Sequence, residues 1–448
     1  MRLGGARRAV VAAALSVAVL GALLPASVAS ADQIRDAQYW LEDYGVRDAW
    51  QVTRGAGVTV AVIDTGVDAS VEELRGAVVG GTDFSGEGSA DGRTPVGDDA
   101  NHGTLVGSLL AGRGTGTGEG SADGRTPVGD DANHGTLVGS LLAGRGTGTG
   151  EGVLGVAPEA DLLSVSVGFG AAAADSDQQI ADAVRWAVDH GADVINMSLT
   201  RNTLDWPTSW DDAFLYAMEA DVVVVAAAGN RGSGTTEVGA PATMPGVLTV
   251  AGVDRQGTAS FDASSQGITI GVAAPAEDLV GVGPGDVHYL WQGSSGATPL
   301  VAGVVALVRS AHPDLDADDV IERVVATAEP KGTRDPDPLY GHGLVDAEAA
   351  VTADVATVDA NPMGDLAEWI RLHRRADVPE QATVPPVEPV PAPSAAPGDG
   401  GVLAGLRPSV ETVRGTVVPL AVLVGFGLAL AAVVGAGARQ FLGIRRRR

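Results

Sequence analysis

The chain has 448 residues, 45% of them hydrophobic, and a formal net charge of −27. That supplies apolar material for a large core, while the acidic balance excludes nucleic acid as a partner, because phosphate binding needs a basic surface. Cysteine is absent, which excludes disulfides and thiolate metal sites.

The first segment carries Arg2, Arg7 and Arg8, an apolar stretch from Ala9 to Leu24, and Ala29-Ser30-Ala31. This is the layout of a secretory signal peptide over residues 1–31, with cleavage after Ala31. Residues 32–57, with Tyr39, Trp40 and Trp50, are too few to fold alone and read as an N-terminal arm packed on the main domain. Val58 to Ile63 is apolar and β-branched, as expected of a strand buried on both faces of a parallel sheet. It ends in Asp64-Thr65-Gly66. Carboxyl ends of strands are where sites gather in open α/β sheets, although an Asp in such a turn also serves as a simple turn cap.

A tandem duplication follows. Residues 86–117 and 118–149 are identical, and each copy holds Asn-His-Gly-Thr-Leu-Val-Gly, with the histidines at His102 and His134. Two identical copies are too few for a solenoid. Only one can take the place the fold provides, and loop entropy barely opposes extruding the other. Asp98, Asp99, Asp130 and Asp131 read as solvated loop residues, and no acidic cluster calls for a metal.

Beyond the repeat, β and α patterns alternate: strands over Asp161–Val167, Asp193–Met197, Asp221–Ala228 and Val247–Val250, and helices over Asp177–His190, Trp210–Glu219 and Asp316–Ala328. This succession predicts an α/β fold, a parallel sheet with helices on both faces, over residues 58–351. Ser295 precedes the apolar run Val301–Val308, at the mouth of a predicted helix, where free N–H groups favour a developing negative oxygen. Serine is also a favoured N-cap, so position alone does not make it a nucleophile. Residues 352–376 read as a helical extension and residues 377–414, rich in proline, as a semi-rigid spacer. Residues 415–438 are uncharged and long enough to cross a bilayer, and the tail 439–448 ends in Arg445 to Arg448, which places that tail in the cytoplasm and the main domain outside.

Asp, His and Ser in this order fit neither an α/β-hydrolase, which runs Ser, Asp, His, nor a chymotrypsin-like barrel, which runs His, Asp, Ser. The sequence resembles the subtilisin family of serine peptidases. Val60 to Gly66 resembles its aspartate motif and Asn-His-Gly-Thr-Leu-Val-Gly its histidine motif. Ile195 to Leu199, Ala226 to Asn230 and Gly293 to Gly303 resemble its substrate-strand, oxyanion and serine motifs. The resemblance implies a triad of Asp64, His102 or its duplicate His134, and Ser295. It implies Asn230 in an oxyanion hole, Ser198 and Leu199 on the substrate strand, no required cofactor, and a polypeptide substrate. Of the two histidines, His102 is favoured, since its spacing back to Asp64 is the natural one and a long loop after this helix is tolerated in similar chains. The layout of signal peptide, peptidase domain, spacer, anchor helix and basic tail resembles the mycosins. That implies a single-pass membrane protease with an extracytoplasmic catalytic domain and the type VII secretion machinery as a partner. Departures are Ser294 and Gly296 beside the nucleophile position, Gly296 being expected to loosen the helix start, and Thr200-Arg201 after the substrate strand, where the family often has two glycines.

Overall fold

The computed structural model describes residues 32–93, 95, 134–147, 151–168 and 175–374. The predicted leader, spacer, anchor helix and basic tail lie outside them, as do His102 and the four loop aspartates of the repeat.

Seven strands form one parallel sheet: β1 (Thr59–Asp64), β2 (Val78–Asp83), β3 (Asp161–Ser166), β4 (Val194–Met197), β5 (Val223–Ala227), β6 (Leu248–Val253) and β7 (Ile270–Pro275). Their order is β2-β3-β1-β4-β5-β6-β7. β1 is central, paired with β3 in the register Asp64 to Ser166 and with β4 in the register Val62 to Asn196. In β1 every residue from Val60 to Asp64 is buried, so both sheet faces are covered at that strand. The chain leaves β1 toward β2 on one side and leaves β4 toward β5 on the other. The carboxyl ends of β1 and β4 therefore flank a topological switch point, the usual place for a crevice.

The helices follow from their sequence patterns. Helix α1 (Asp32–Ala37), α2 (Trp40–Asp43) and α3 (Val46–Ala49) make up the N-terminal arm. Trp40 and Leu41 are buried, and Gln38 grips Leu154 from both sides, its Nε2 donating to the carbonyl at 2.7 Å and its Oε1 accepting the N–H at 3.0 Å. Helix α4 (His134–Ala143) is buried along its whole length, and α5 (Ser176–Asp189) turns Ile180, Ala183, Val184 and Ala187 inward. Asp175 caps α5 by accepting the Gln178 N–H. Helix α6 (Thr208–Glu219) packs beside α5, whereas α7 (Ser294–Ala311) packs beside α4. α8 (Ala317–Ala326) and α9 (Ala347–Thr352) start from the N-caps Asp316 and Asp346. α10 (Leu366–His373) occupies only the end of the predicted helical extension. An antiparallel hairpin of β8 (Leu279–Gly283) and β9 (Val287–Trp291) runs directly into α7.

Among the described residues α7 is the helix long and apolar enough to cross a membrane, but 89% of it is buried inside the domain. It is a core helix.

Candidate active site

The switch point collects the residues singled out in the sequence. Asp64 ends β1, Ser198 and Leu199 directly follow β4, and Asn230 follows β5 by three residues. His134 opens α4 and Ser295 is the second residue of α7. All are buried or nearly so.

Asp64 is 1% exposed, so its charge must be met locally. Its Oδ1 accepts the Thr65 N–H at 2.7 Å, and His134 Nδ1 lies 2.9 Å from Oδ1 and 3.0 Å from Oδ2. A carboxylate on Nδ1 fixes the imidazole tautomer and leaves Nε2 as the basic nitrogen. The mouth of α4 is docked on the β1 turn by two reciprocal bonds. Gly135 N–H donates to Thr65 Oγ1 at 3.1 Å and Asp68 N–H to Thr136 Oγ1 at 2.9 Å. The approach is so close that a Cβ on Gly135 would lie 2.2 Å from the Gly66 carbonyl oxygen, which explains the glycine after the histidine.

The histidine beside Asp64 is thus His134, which corrects the preference for His102. The described structure takes the start of the repeat from the first copy, through Arg93, and the helix from the second copy. Gly92 O of the first copy accepts from Ser164 Oγ at 2.6 Å. The physical reason for the second copy's helix lies at its far end. Gly146 N–H donates to Val153 O at 3.0 Å and Thr147 N–H to Glu151 O at 2.7 Å, and only the second copy's helix is followed directly by Val153.

Ser295 is 4% exposed, and its Oγ has no hydrogen-bond partner among the described residues. Nor is it the N-cap: that residue is Gly293, with φ 143°. The Ser295 backbone N–H lies in the first helical turn, where no intrahelical acceptor exists. Its carbonyl has lost its usual partner too, because Pro299 has no N–H to give. Ser198 Oγ donates to that carbonyl at 2.8 Å and is itself held by Asn196 Nδ2 at 3.0 Å. The substrate strand and the serine helix are joined by this bond.

Ser294 orients Asn230. Its N–H donates to Asn230 Oδ1 at 2.8 Å and its hydroxyl lies 3.0 Å from the same oxygen. The amide oxygen is committed, so Nδ2 is the group left to donate into the crevice. Sequence reasoning noted Ser294 only as a departure and missed this role, as it missed Trp291. The Trp291 ring stands edge-on to His134, centroids 5.8 Å apart at 83°. A Cβ on Gly296 would be 2.3 Å from Leu279 Cδ1 and 3.3 Å from Trp291 Cη2. Gly296 therefore tightens the mouth of α7, contrary to the expected loosening, by letting the β8–β9 hairpin close on it.

This arrangement joins an imidazole to a buried carboxylate at the mouth of α4 and sets a serine in the first turn of α7. The sequence profile of the subtilase family matches residues 55–119 and again residues 115–343. The chain belongs to the subtilase family. Each match takes one histidine, His102 in the first and His134 in the second. Subtilisin DY of Bacillus licheniformis is 33% identical over 300 residues, 66% of this chain and 92% of that protein. Mycosin-1 of Mycobacterium tuberculosis is 34% identical over 373 residues, 70% of this chain and 73% of that one. Among solved structures, MycP1 with its N-terminal propeptide removed aligns at TM-score 0.56 and 28% identity, covering 72% of this chain and 98% of its own. The MycP3 protease from the type VII (ESX-3) secretion system aligns at TM-score 0.53 and 31% identity, covering 70% and 88%. The chain is a subtilisin-like serine endopeptidase with mycosin homology.

Proposed function

We propose that this endopeptidase works through Ser295, His134 and Asp64, and that it is a membrane-anchored, extracytoplasmic protease linked to type VII secretion. The buried Asp64–His134 pair, with Trp291 of the strand leading into the serine helix edge-on to the imidazole, carries the catalytic assignment. Ser295 Oγ attacks the peptide carbonyl while His134 Nε2 takes its proton. Negative charge on the carbonyl oxygen is met by Asn230 Nδ2 and the Ser295 N–H. As the C–N bond breaks, Nε2 returns the proton to the leaving amine, and an acyl ester remains on Ser295. Water then attacks the ester with Nε2 again as base, releasing the acid. Asp64 stays ionised and holds the ring. The substrate chain adds along Ser198 and Leu199, and that strand is tied to the nucleophile's own carbonyl.

Fluorophosphonate labelling tests this. The wild-type ectodomain takes up label, and Ser295→Ala takes up none; a folded wild-type domain that stays unlabelled supports instead a non-catalytic scaffold in a secretion complex. The anchor and the topology rest on the predicted leader and on residues 415–438. Extraction by detergent but not by carbonate, lost on removing residues 415–448, is the expected outcome. The secretion link rests on the mycosin homology and is tested by secreted-protein profiles with and without Ser295→Ala.

A further inference from the structure

Away from the crevice, one buried carboxylate has no part in the reaction described above. Glu73 lies in a short 3-10 turn, Glu72–Leu74, between β1 and β2, and is fully buried. Its Oε1 is 2.7 Å from His288 Nε2, and its Oε2 has no hydrogen-bond partner among the described residues. Gly152 makes room for it, since a Cβ there would lie 2.7 Å from Oε1. A buried pair of this kind is a weak source of stability, because desolvation offsets the attraction. What it supplies is a directional link between elements distant in the chain.

The link joins both halves of the site. On one side, Glu73 O accepts the Arg145 N–H at 2.7 Å, just beyond the end of the histidine helix α4. On the other, His288 belongs to β9, the strand that runs into the serine helix α7. Side chains alternate along a strand, so His288 turns to Glu73 while Trp291 turns to the opposite face. There the Trp291 ring lies against bare backbone on two sides. A Cβ on Gly281 would be 3.1 Å from its Nε1 and also 3.1 Å from Leu137 Cδ2 of α4, and one on Gly296 would be 3.3 Å from its Cη2. The ring ends edge-on to the His134 imidazole. Val282, opposite His288 in the hairpin, donates its N–H to Ser140 Oγ of α4 at 3.2 Å. Glu72 N–H, next to the carboxylate, donates to Asp286 Oδ1 in the hairpin turn at 2.7 Å. A slide of β9 along its own axis therefore moves Trp291 relative to His134.

We infer that Glu73 and His288 form a clasp that positions Trp291 against the His134 imidazole, so that the catalytic base is held in register with Ser295 from the far side of the hairpin. Both act through Trp291, as positioning residues. The inference rests on the proposed triad of Ser295, His134 and Asp64. A catalytic group misplaced by about 1 Å costs about 100-fold in rate, whereas exchanging a buried pair for apolar groups of similar volume is often neutral for folding. The two effects are separable.

The test is the rate of fluorophosphonate labelling of the full-length chain over a range of probe concentrations, which separates the covalent step from probe binding. Glu73→Leu/His288→Leu is expected to fold as stably as wild type and yet to lose about 10–100-fold in the covalent step, with probe binding within about 3-fold. His288→Gln, which keeps a side-chain N–H for Glu73, is expected to stay within about 3-fold of wild type in both. In a Trp291→Ala chain the double leucine change is expected to cost less than about 3-fold, because the relay is already gone. Should the double leucine chain not fold, Glu73→Gln/His288→Ala, which leaves no charge buried without a partner, carries the same expectation. A folded chain without the pair that labels at the wild-type rate, or whose loss lies in probe binding, overturns the clasp. So does His288→Gln labelling as slowly as the double leucine chain, or a loss as large without Trp291 as with it. A wild-type chain that takes no label overturns the triad reading, and the clasp with it.

Discussion

The bond between Ser198 Oγ and Ser295 O gives a double-mutant cycle with a calculable outcome. Pro299 sits four residues after Ser295 inside α7, so it withholds the N–H that would satisfy that carbonyl. Ser198→Ala removes the replacement donor. It strands two buried groups, the Ser295 carbonyl and Asn196 Nδ2, which now bond Ser198 Oγ at 2.8 and 3.0 Å. Each lost partner costs about 1–1.5 kcal/mol, so the variant loses about 2–3 kcal/mol of stability. Pro299→Ala restores an intrahelical N–H aimed at the Ser295 carbonyl. In that background one of the two stranded groups is already satisfied, and Ser198→Ala costs about 1 kcal/mol less. The measurement is urea unfolding of the four proteins in a Ser295→Ala background, which prevents self-cleavage and leaves the carbonyl untouched. Stabilities that add to within about 0.3–0.5 kcal/mol mean that the two changes are independent, and the account of Pro299 is then wrong.

Two further changes probe packing around the site. Gly296→Ala places a methyl group about where Leu279 Cδ1 stands, 2.3 Å away, and is expected to cost about 1–3 kcal/mol; Leu279→Ala in the same chain recovers part of that loss in thermal melts. Arg374 Nε bonds Asp211 Oδ2 at 3.0 Å, its Nη2 bonds Trp206 O at 2.7 Å, and its guanidinium lies over the rings of Trp206 and Trp369. Arg374→Ala is expected to weaken α10 docking by about 1.5–3 kcal/mol, seen as faster amide exchange across Leu366–His373, and unchanged exchange there refutes the clamp.

The elements legible in the sequence are those whose burial is uniform or whose caps are local. β1 reads as a strand because Val60, Ala61, Val62 and Ile63 are all interior, and α5 because its apolar residues recur at helical spacing. β2 escaped because Gly80 and Gly81 dilute its pattern, although a Cβ on Gly81 would be 2.4 Å from Ser164 O. The β8–β9 hairpin escaped because Pro284-Gly285-Asp286 is an ordinary turn with no hint of what the strands cover. At the site, Asp64, Asn230 and Ser295 were visible through motifs. The residues that orient them were not, because their partners are far away in the chain. Ser198 and Ser295 are 97 positions apart, Ser294 and Asn230 are 64 apart, and no local pattern encodes either bond. Trp291 shows the same limit: its aromatic ring announces burial, while its contact with His134 exists only once the β8–β9 hairpin packs beside α4.

The duplicated histidine is the sharpest case. The copies at 86–117 and 118–149 are identical, so the helix itself cannot choose. Loop entropy cannot choose either. With His134 in place the connections from β2 to the helix and from the helix to β3 are about 50 and 17 residues; with His102 they are about 18 and 49, and the logarithmic closure costs nearly cancel. The choice falls to contacts made next to the helix. In the observed arrangement Gly155, Val156 and Ala157 donate to Gly144, Leu141 and Leu142, and the turn through Thr147 and Glu151 closes the connection tightly. Arg35 of the arm then seals that turn by donating to Gly152 O at 2.7 Å. Using His102 would repeat that turn through Thr115 and Glu119 but put the 32 extra residues between it and Val153, whereas with His134 the helix runs straight on to Val153 and the segment before it has only to return to the helix start. His134→Ala is therefore expected to lower kcat by at least about 10³-fold, and His102→Ala to leave it within a few-fold of wild type. Deleting residues 86–117 or 118–149 yields one and the same chain, expected to keep full fluorophosphonate labelling. Equal residual activity in the two single variants would mean that the copies exchange at Asp64, and that the turn at 144–154 is worth too little to decide between them.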